Sequence, residues 1–365
     1  VRFRQYLIIL KPNEIEIFNF LYQWYNLSGG GLKIKIIMKI KLNHTFEDII
    51  NIENLLEAWK EFIRGKRNKL DVQEFSLKLM DNLFILHEDL SLDNYKHGGY
   101  HSFNISDPKP RSIHKANVRD RLLHHAIYRV LYPFFDKTFI SDSYSCRIKK
   151  GTHKALNRFR NFAYKVSKNN TKTCWILKCD IKKFFASIDH KVLLDILNSY
   201  IPDKLIFGLL KEIIESFSMK PGEGLPLGNL TSQLLVNIYM NEFDQFMKHE
   251  LKVKYYVRYA DDFVILSQDK KWLLNTIPKI NDFLWHELRL RLHPDKISIR
   301  TIVSGVDFLG WINFSDHRLL RTATKWRMIK RIKKSPMFAT TNSYLGLLKH
   351  GNTEKLKGII YNNYS

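Results

Sequence analysis

Cysteine is scarce in this chain of 365 residues: Cys146, Cys174 and Cys179 are the only three, with no CxxC pair and no metal-ligand spacing. A disulfide framework and a cysteine-built zinc site are therefore excluded, and the thiols read as reduced, partly buried groups of a cytoplasmic protein. No apolar run is long enough to span a bilayer, so no membrane role is expected. Internal repeats and low-complexity tracts are also missing, which excludes solenoids and tail-like segments. Acidic residues are in deficit. Against 59 Lys plus Arg stand 36 Asp plus Glu, a formal net charge of +23. Such an excess points to a polyanionic partner, nucleic acid above all. A basic membrane-surface protein is the competitor, but no long basic amphipathic helix carries the charge.

What is present supports a folded chain with more than one subdomain, since 45% of the residues are hydrophobic. Residues 1–37 stand apart: "FNFLYQWYN" and "SGGG" precede Met38, which opens an ordinary protein start. They read as a non-essential leader or translated upstream sequence. The apolar "YLIIL" is too short for a signal peptide.

Helical spacing predicts helices over 46–64, 71–89, 118–135, 190–199 and 271–288. "YHSFNISDPKPRSIH" reads as a hairpin with a basic tip. "CWILKCDIKKFF", 174–185, is a strand by composition; alternation sets Trp175, Leu177 and Cys179 against Ile176, Lys178 and Asp180. The Gly/Pro-rich loop 222–233 leads into a helix striped by Val236, Tyr239, Met240, Phe243, Phe246 and Met247. "KYYVRYADDFVILS" is two strands meeting at a turn, with Asp261 and Asp262 at the bend. "RLHPDKISI" and "VDFLGWINF" are short strands, and the tail from 322 is basic and helical.

Two adjacent carboxylates inside an apolar, β-prone run carry the chemical signal. Asp favours turns, so the dipeptide also has an ordinary structural reading. If the Asp180 strand lies beside the Asp261–Asp262 hairpin, three carboxylates share one patch, and they repel without a counter-charge. Two Mg²⁺ ions, with Mn²⁺ as a substitute, would relieve that repulsion. They take oxygen ligands, activate a hydroxyl and stabilise a leaving oxygen, which is the chemistry of nucleotidyl transfer.

In that setting "YADD" resembles the catalytic box of reverse transcriptases, and "LKCDIKKFFASIDH" resembles their first carboxylate motif. "GLPLGNLTSQLLVNIYMNEFD", "HPDKISI" and "VDFLGW" follow in the family's order, and the similarity runs from about residue 95 to about 350. Relatives with Pro-Gln-Gly in the middle loop are the commoner kind; this chain has Pro226-Leu227-Gly228 and Ser232-Gln233. That departure, with "SYLGLLKHGNTEKL", resembles the reverse transcriptases of diversity-generating retroelements, which copy a template RNA with errors opposite adenine.

The resemblance implies an α/β (α+β) right-hand polymerase: fingers over 38–170, an antiparallel-sheet palm over 171–313 with a fingers-contributing segment at 195–225, and a helical thumb over 314–365. No ribonuclease H, endonuclease or maturase domain is expected. Asp180 and Asp261 would be bridging metal ligands, Asp262 a weaker or outer one, and the Ile181 carbonyl would complete the nucleotide-side ion. Phe185 matches the steric gate under the sugar, with core aromatic as its other reading; Phe184 is the core ring if the strand alternates. Lys109 and Arg111 lie on the fingers hairpin, and Arg111 matches the triphosphate-binding arginine. Gly228 permits close backbone approach to the base pair. Leu227 stands where a Gln could hydrogen-bond near the incoming nucleotide, so lower fidelity is expected. Lys296 matches the lysine that protonates pyrophosphate, with a surface lysine as the alternative. Phe308, Leu309 and Gly310 would form the turn at the primer end, above Trp311.

Arg119 and Arg121 suit a solvated helix face or a template contact. His114, His124 and His125 form no closed ligand set and read as structural or RNA-facing. Lys325, Arg327, Lys330, Arg331, Lys333 and Lys334 suit the phosphates of a primer–template duplex or a solvated face. Expected partners are template RNA, the cDNA/RNA duplex, deoxynucleoside triphosphates and a small basic accessory protein. Competing readings are a retron, defence-associated or group II intron reverse transcriptase, and a non-catalytic RNA-binding protein on the same fold.

Overall fold

The computed structural model describes residues 39–107, 110–334 and 338–364. The expected leader and Lys109 lie outside the described residues. The chain opens with α1 (Phe46–Ile50), α2 (Ile52–Phe62), α3 (Leu70–Leu77) and α4 (Leu79–Ser91). The single helix expected over 46–64 is interrupted at Asn51. Its backbone turns extended (ψ 146°), and its side chain accepts from the Asn54 N–H at 2.7 Å, capping α2. A second break falls at Lys78 (φ −121°, ψ 41°), between α3 and α4.

The hairpin β1 (Tyr100–Ile105) and β2 (Arg111–Ala116) follows, then α5 (Val118–Asp136) and α6 (Thr152–Val166). Strand β3 is Trp175–Asp180, and α7 (His190–Asn198), α8 (Lys204–Glu215) and α9 (Leu230–Gln245) come next. β4 (Tyr256–Tyr259), β5 (Asp262–Ser267), α10 (Lys270–Leu288) and β6 (Ser298–Thr301) complete the central sheet. It is antiparallel throughout, in the order β4-β5-β3-β6. A three-stranded antiparallel sheet follows, from β7 (Val306–Phe308), β8 (Trp311–Asn313) and β9 (Arg318–Leu320). Helices α11 (Thr322–Lys334), α12 (Phe338–Leu348) and α13 (Glu354–Tyr364) end the chain.

Alternation along β3 separates two cores. Leu177 and Cys179 join Phe263 and Ile265 against the buried stripe of α9 (Val236, Tyr239, Met240, Phe243) and α10 (Leu273, Ile280, Leu284). Ile176 faces the other way, with Val264 and Leu266, into a second core. That core is built from α6 (Leu156, Phe159, Phe162), the three-stranded sheet and α11 (Met328, Ile332). Burial of each large side chain in these layers contributes roughly 1.5–3 kcal/mol. The first core lies behind the sheet. The second stops short of residues 178 and 180, so that face opens at the end of β3.

The strand expected over 174–185 ends at Asp180. Beyond it, Lys183 takes a left-handed conformation (φ 48°) and Phe184–Ser187 forms a 3₁₀ turn. "HPDKISI" likewise splits, into a 3₁₀ turn at Pro294–Lys296 and then β6. Among the described residues no helix is long and apolar enough to cross a membrane.

Candidate active site at the end of the central sheet

Register brings the first and last carboxylates together. Asp180 on β3 pairs across the sheet with Asp262 on β5, and Tyr259 on β4 pairs with the same Asp262. Asp262 therefore opens β5 instead of sitting in the bend; the two-residue turn is Ala260–Asp261. One backbone bond locks turn to strand: the Ile181 N–H donates to the Asp261 carbonyl at 3.1 Å. Beyond β3 the chain pairs with the 291–293 segment. The His293 N–H donates to the Asp180 carbonyl (2.8 Å) and the Lys182 N–H to the Arg291 carbonyl (2.9 Å), which leaves the Ile181 carbonyl outside this ladder. The 3₁₀ turn then returns Lys296 to the site, where its Nζ donates to Asp180 Oδ1 at 2.7 Å.

The turn is supported from beneath by an ion pair that sequence reading did not single out. Ala260 has φ 55°, an uncommon conformation for a residue with a Cβ. Its carbonyl accepts from Arg258 Nη1 at 3.1 Å. The Arg258 guanidinium is fully buried and grips Asp244 through two bonds, 2.8 and 2.7 Å, with Ser143 Oγ as a further partner at 3.0 Å. Tyr256 donates its hydroxyl to Asp244 at 2.8 Å. Asp244 on α9 thus holds the hairpin by charge as well as by packing. An Arg two residues before "ADD" in a buried strand was the available signal, since a buried cation requires a partner.

Burial raises the pKa of Asp261, and the neighbouring Asp180 charge adds to the shift. Burial pushes Asp262 up to about 7, against the opposing pull of Lys178, whose Nζ lies 3.7 Å from Asp262 Oδ1. That oxygen is buried and has no hydrogen-bond partner among the described residues. Among the described residues, no three His, Cys, Asp or Glu side chains converge as a ready-made metal cage. The donor set fits a hard divalent cation nonetheless: carboxylate oxygens gather at the open end of a sheet, one of them orphaned on Asp262, with Lys296 holding one oxygen of Asp180. Mg²⁺ sites take that form, using one or two carboxylates plus substrate oxygens.

Three further pieces border this patch. Phe184 is buried, and Phe185 is partly buried and edge-on to it, 5.6 Å away at 76°. The assignment of Phe184 to the core holds, but through a 3₁₀ turn and not strand alternation. The Leu225 N–H donates to the Phe185 carbonyl (2.8 Å), and the His114 N–H on β2 donates to the Leu227 carbonyl (3.0 Å). Backbone bonds thus join β2, the 225–228 loop and the 3₁₀ turn. Gly228 has φ +116°, and a Cβ there would lie 2.8 Å from Ile113 Cγ2, so close approach to β2 requires glycine. Arg111 starts β2, is exposed, and acts electrostatically on Asp261.

Other expected residues are committed elsewhere. Arg121 bonds Asp71 at 2.6 Å and Arg119 pairs with Asp89, so both brace α5. His124 is buried, stacked on His97 with centroids 5.3 Å apart, and burial holds it well below the usual histidine range. His125 packs edge-on to Phe62, and burial lowers it to about 4. Cys174 and Cys179 are buried and Cys146 is exposed, all three as free thiols. Leu309 (φ 51°) and Gly310 (φ 85°) form the two-residue β7–β8 turn, and Trp311 is buried beneath. Arg331 on α11 reaches Asp107, next to the hairpin tip, at 3.1 Å, a contact that periodicity does not reveal.

An antiparallel sheet with acidic residues on adjacent strands at its open end, helices behind it and a helical C-terminal segment is the palm-centred architecture of a right-hand polymerase. Residues 103–313, more than half of the chain, match the family "Reverse transcriptase (RNA-dependent DNA polymerase)", and the chain belongs to that family. Protein YkfC of Escherichia coli K12 is 25% identical over 276 residues, covering 65% of this chain and 70% of that protein. Group II intron-encoded protein LtrA of Lactococcus lactis subsp. cremoris is 24% identical over 298 residues, covering 62% of this chain and 47% of LtrA. This chain thus spans less than half of LtrA. Among solved structures, apo telomerase from Candida tropicalis aligns with TM-score 0.48 and 12% identity, covering 64% of this chain and 49% of that one.

Proposed function

We propose that this chain is an RNA-directed DNA polymerase that extends a primer 3′ end with deoxynucleotides. The observation that carries the reading is the cross-strand pair Asp180–Asp262 beside the Asp261 turn, bound through Ile181. A divalent cation held by Asp180, Asp261, Asp262 and the Ile181 carbonyl would supply charge neutralisation and Lewis-acid activation. Arg111 orients the triphosphate, and Phe185 lies under the sugar as a gate against a 2′-hydroxyl. Lys296, hydrogen-bonded to Asp180, delivers a proton toward the leaving pyrophosphate. Leu227 and Gly228 border the nascent pair, and the cationic side chains of α11 contact duplex phosphates. In this reading the fingers span 38–170 with 195–225, the palm 171–313 and the thumb 314–365. Contacts of the segment around the start of β1 with α8 and its C-cap support it: Lys96 pairs with Glu212 at 3.4 Å, and the Tyr100 hydroxyl lies 2.8 Å from Ser216 Oγ.

The finer reading is the diversity-generating type, working with a small basic accessory protein on a template-repeat RNA. The aliphatic Leu227 in the 225–228 loop supports it, since it offers no side-chain hydrogen bond to a nascent pair. Similarity to the intron-encoded LtrA favours a second reading, an intron-type enzyme. Primer extension on an adenine-containing RNA template with Mg²⁺, followed by product sequencing, tests all of these. We expect extension in the parent, a fall of about 10³-fold in Asp261→Asn, and errors concentrated opposite adenine that decrease in Leu227→Gln. Undiminished extension by Asp261→Asn overturns the site. No extension by the parent favours a non-catalytic RNA-binding protein. Accurate copying in parent and variant alike favours the intron-type reading.

A further inference from the structure

Strand β8 has two ends. One is the Leu309–Gly310 turn, two residues after Asp307, whose charge acts on Asp262. At the other, the 314–317 turn, the middle of α6 and the α12–α13 loop enclose a cleft of about 350 Å³. Arg160, Arg318, Lys349 and His350 line it. Their partners are neutral. Arg318 donates to Asn157 Oδ1 at 2.6 Å, and Arg160 donates to the backbone carbonyl of Asp316 at 3.2 Å. The one lining carboxylate, Asp316, is taken by His317 Nδ1 at 2.8 Å and points largely to solvent. Burial lowers the Arg318 pKa and the Arg160 charge adds to the shift, so two like charges act on one another here.

The cleft is rigid. The Asn352 N–H donates to the Arg318 carbonyl at 2.9 Å, and Thr353 Oγ1 donates to Leu348. At Gly351 a Cβ would lie 2.1 Å from Trp311 Cζ3, so the loop rests directly on the buried indole. Flat rings border the cations. Phe314 and His317 stack with centroids 4.7 Å apart at 11°, and His153 and His350 at 3.5 Å and 17°. His153 Nδ1 is buried and has no hydrogen-bond partner.

We propose that this cleft binds single-stranded nucleic acid outside the polymerase site, with a backbone phosphate between Arg160, Arg318 and Lys349 and a base against the Phe314–His317 pair. Guanidiniums with neutral partners suit a phosphate, and ring pairs beside a cationic groove are how single strands are held without sequence readout. An acidic peptide would satisfy the cations but has no use for the rings. The cleft would anchor a strand beyond the segment being copied. It does not require polymerase activity, so its test reads binding separately from extension.

The test uses the full chain and fluorescent 20-nucleotide oligouridylate and oligothymidylate as probes, the two arms separating RNA from DNA as the source. Arg160→Ala/Lys349→Ala should weaken binding about tenfold and reduce the log–log salt slope by about 0.7, the loss of one phosphate contact on a single strand. Extension of a short pre-annealed duplex at saturation should be unchanged. A second measurement needs no variant: ultraviolet cross-linking of 4-thiouridine RNA to the parent should label the segment containing Phe314 and His317. Unchanged affinity and slope, labelling confined to other segments, or displacement of the probe by polyglutamate at equal charge concentration would overturn the proposal.

Discussion

Two hairpins with two-residue turns flank the candidate site, and they solve the same geometric problem differently. The β7–β8 turn uses Leu309 and Gly310, both at positive φ, with open space around Gly310. The Arg321 N–H donates to the Gly310 carbonyl at 3.1 Å, and the Arg321 side chain pairs with Asp307 on β7 at the surface. The β4–β5 turn uses Ala260 at φ 55°, followed by Asp261. It has no glycine, and its support is a buried Arg258–Asp244 pair and a tyrosine hydroxyl. The β7–β8 turn thus places one residue with a Cβ, Leu309, and one glycine in the left-handed region. A turn that must present carboxylates carries local strain, offset by a charged network in the core.

The largest test removes that network. Asp244→Ala leaves the Arg258 cation buried and unpaired, and should lower stability by about 3–5 kcal/mol in urea titration. No comparable loss is expected at the other hairpin. Next is the pH dependence. With its carboxyl raised to about 7 in the folded chain, Asp262 contributes stability below its unfolded value of 3.8, and that contribution is lost as pH rises toward 7. Asp262→Asn should therefore exceed the parent by about 3–4 kcal/mol above pH 7 and match it below pH 4. Thermal melts across pH measure this, and Mg²⁺ should narrow the gap by stabilising the ionised parent. Gly310→Ala should cost about 1 kcal/mol, the ordinary penalty for a Cβ at positive φ. Ala260→Gly should change stability least, by about 0.5 kcal/mol, because strain relief opposes added chain entropy. A large gain from Ala260→Gly would show that the ion pair does not offset the strain.

Local pattern made some elements readable and left others hidden. The helix expected over 118–135 is observed at Val118–Asp136, and that over 271–288 at Lys270–Leu288. Alternation in β3 sorted Leu177 and Cys179 from Ile176 correctly, since each face meets a different apolar layer. Breaks at Asn51 and Lys78 escaped because apolar spacing runs on through them. The end of β3 at Asp180 escaped because apolar Phe184 and Phe185 continue the run while Lys183 reverses the backbone. Arg119 and Arg121 have acidic partners 30 and 50 residues earlier, which spacing along α5 does not encode.

The sequence by itself determined the identity of the acidic groups, their order along the chain and the excess of cations, because motif chemistry and charge are properties of the residues. Tertiary structure alone decided that Asp262 faces Asp180, that Lys296 returns to Asp180, and that Arg258 is neutralised by Asp244. Register, burial and ion pairing depend on which distant segments share a dielectric environment. Pairing energies depend on distance in space, and separation along the chain does not set that distance.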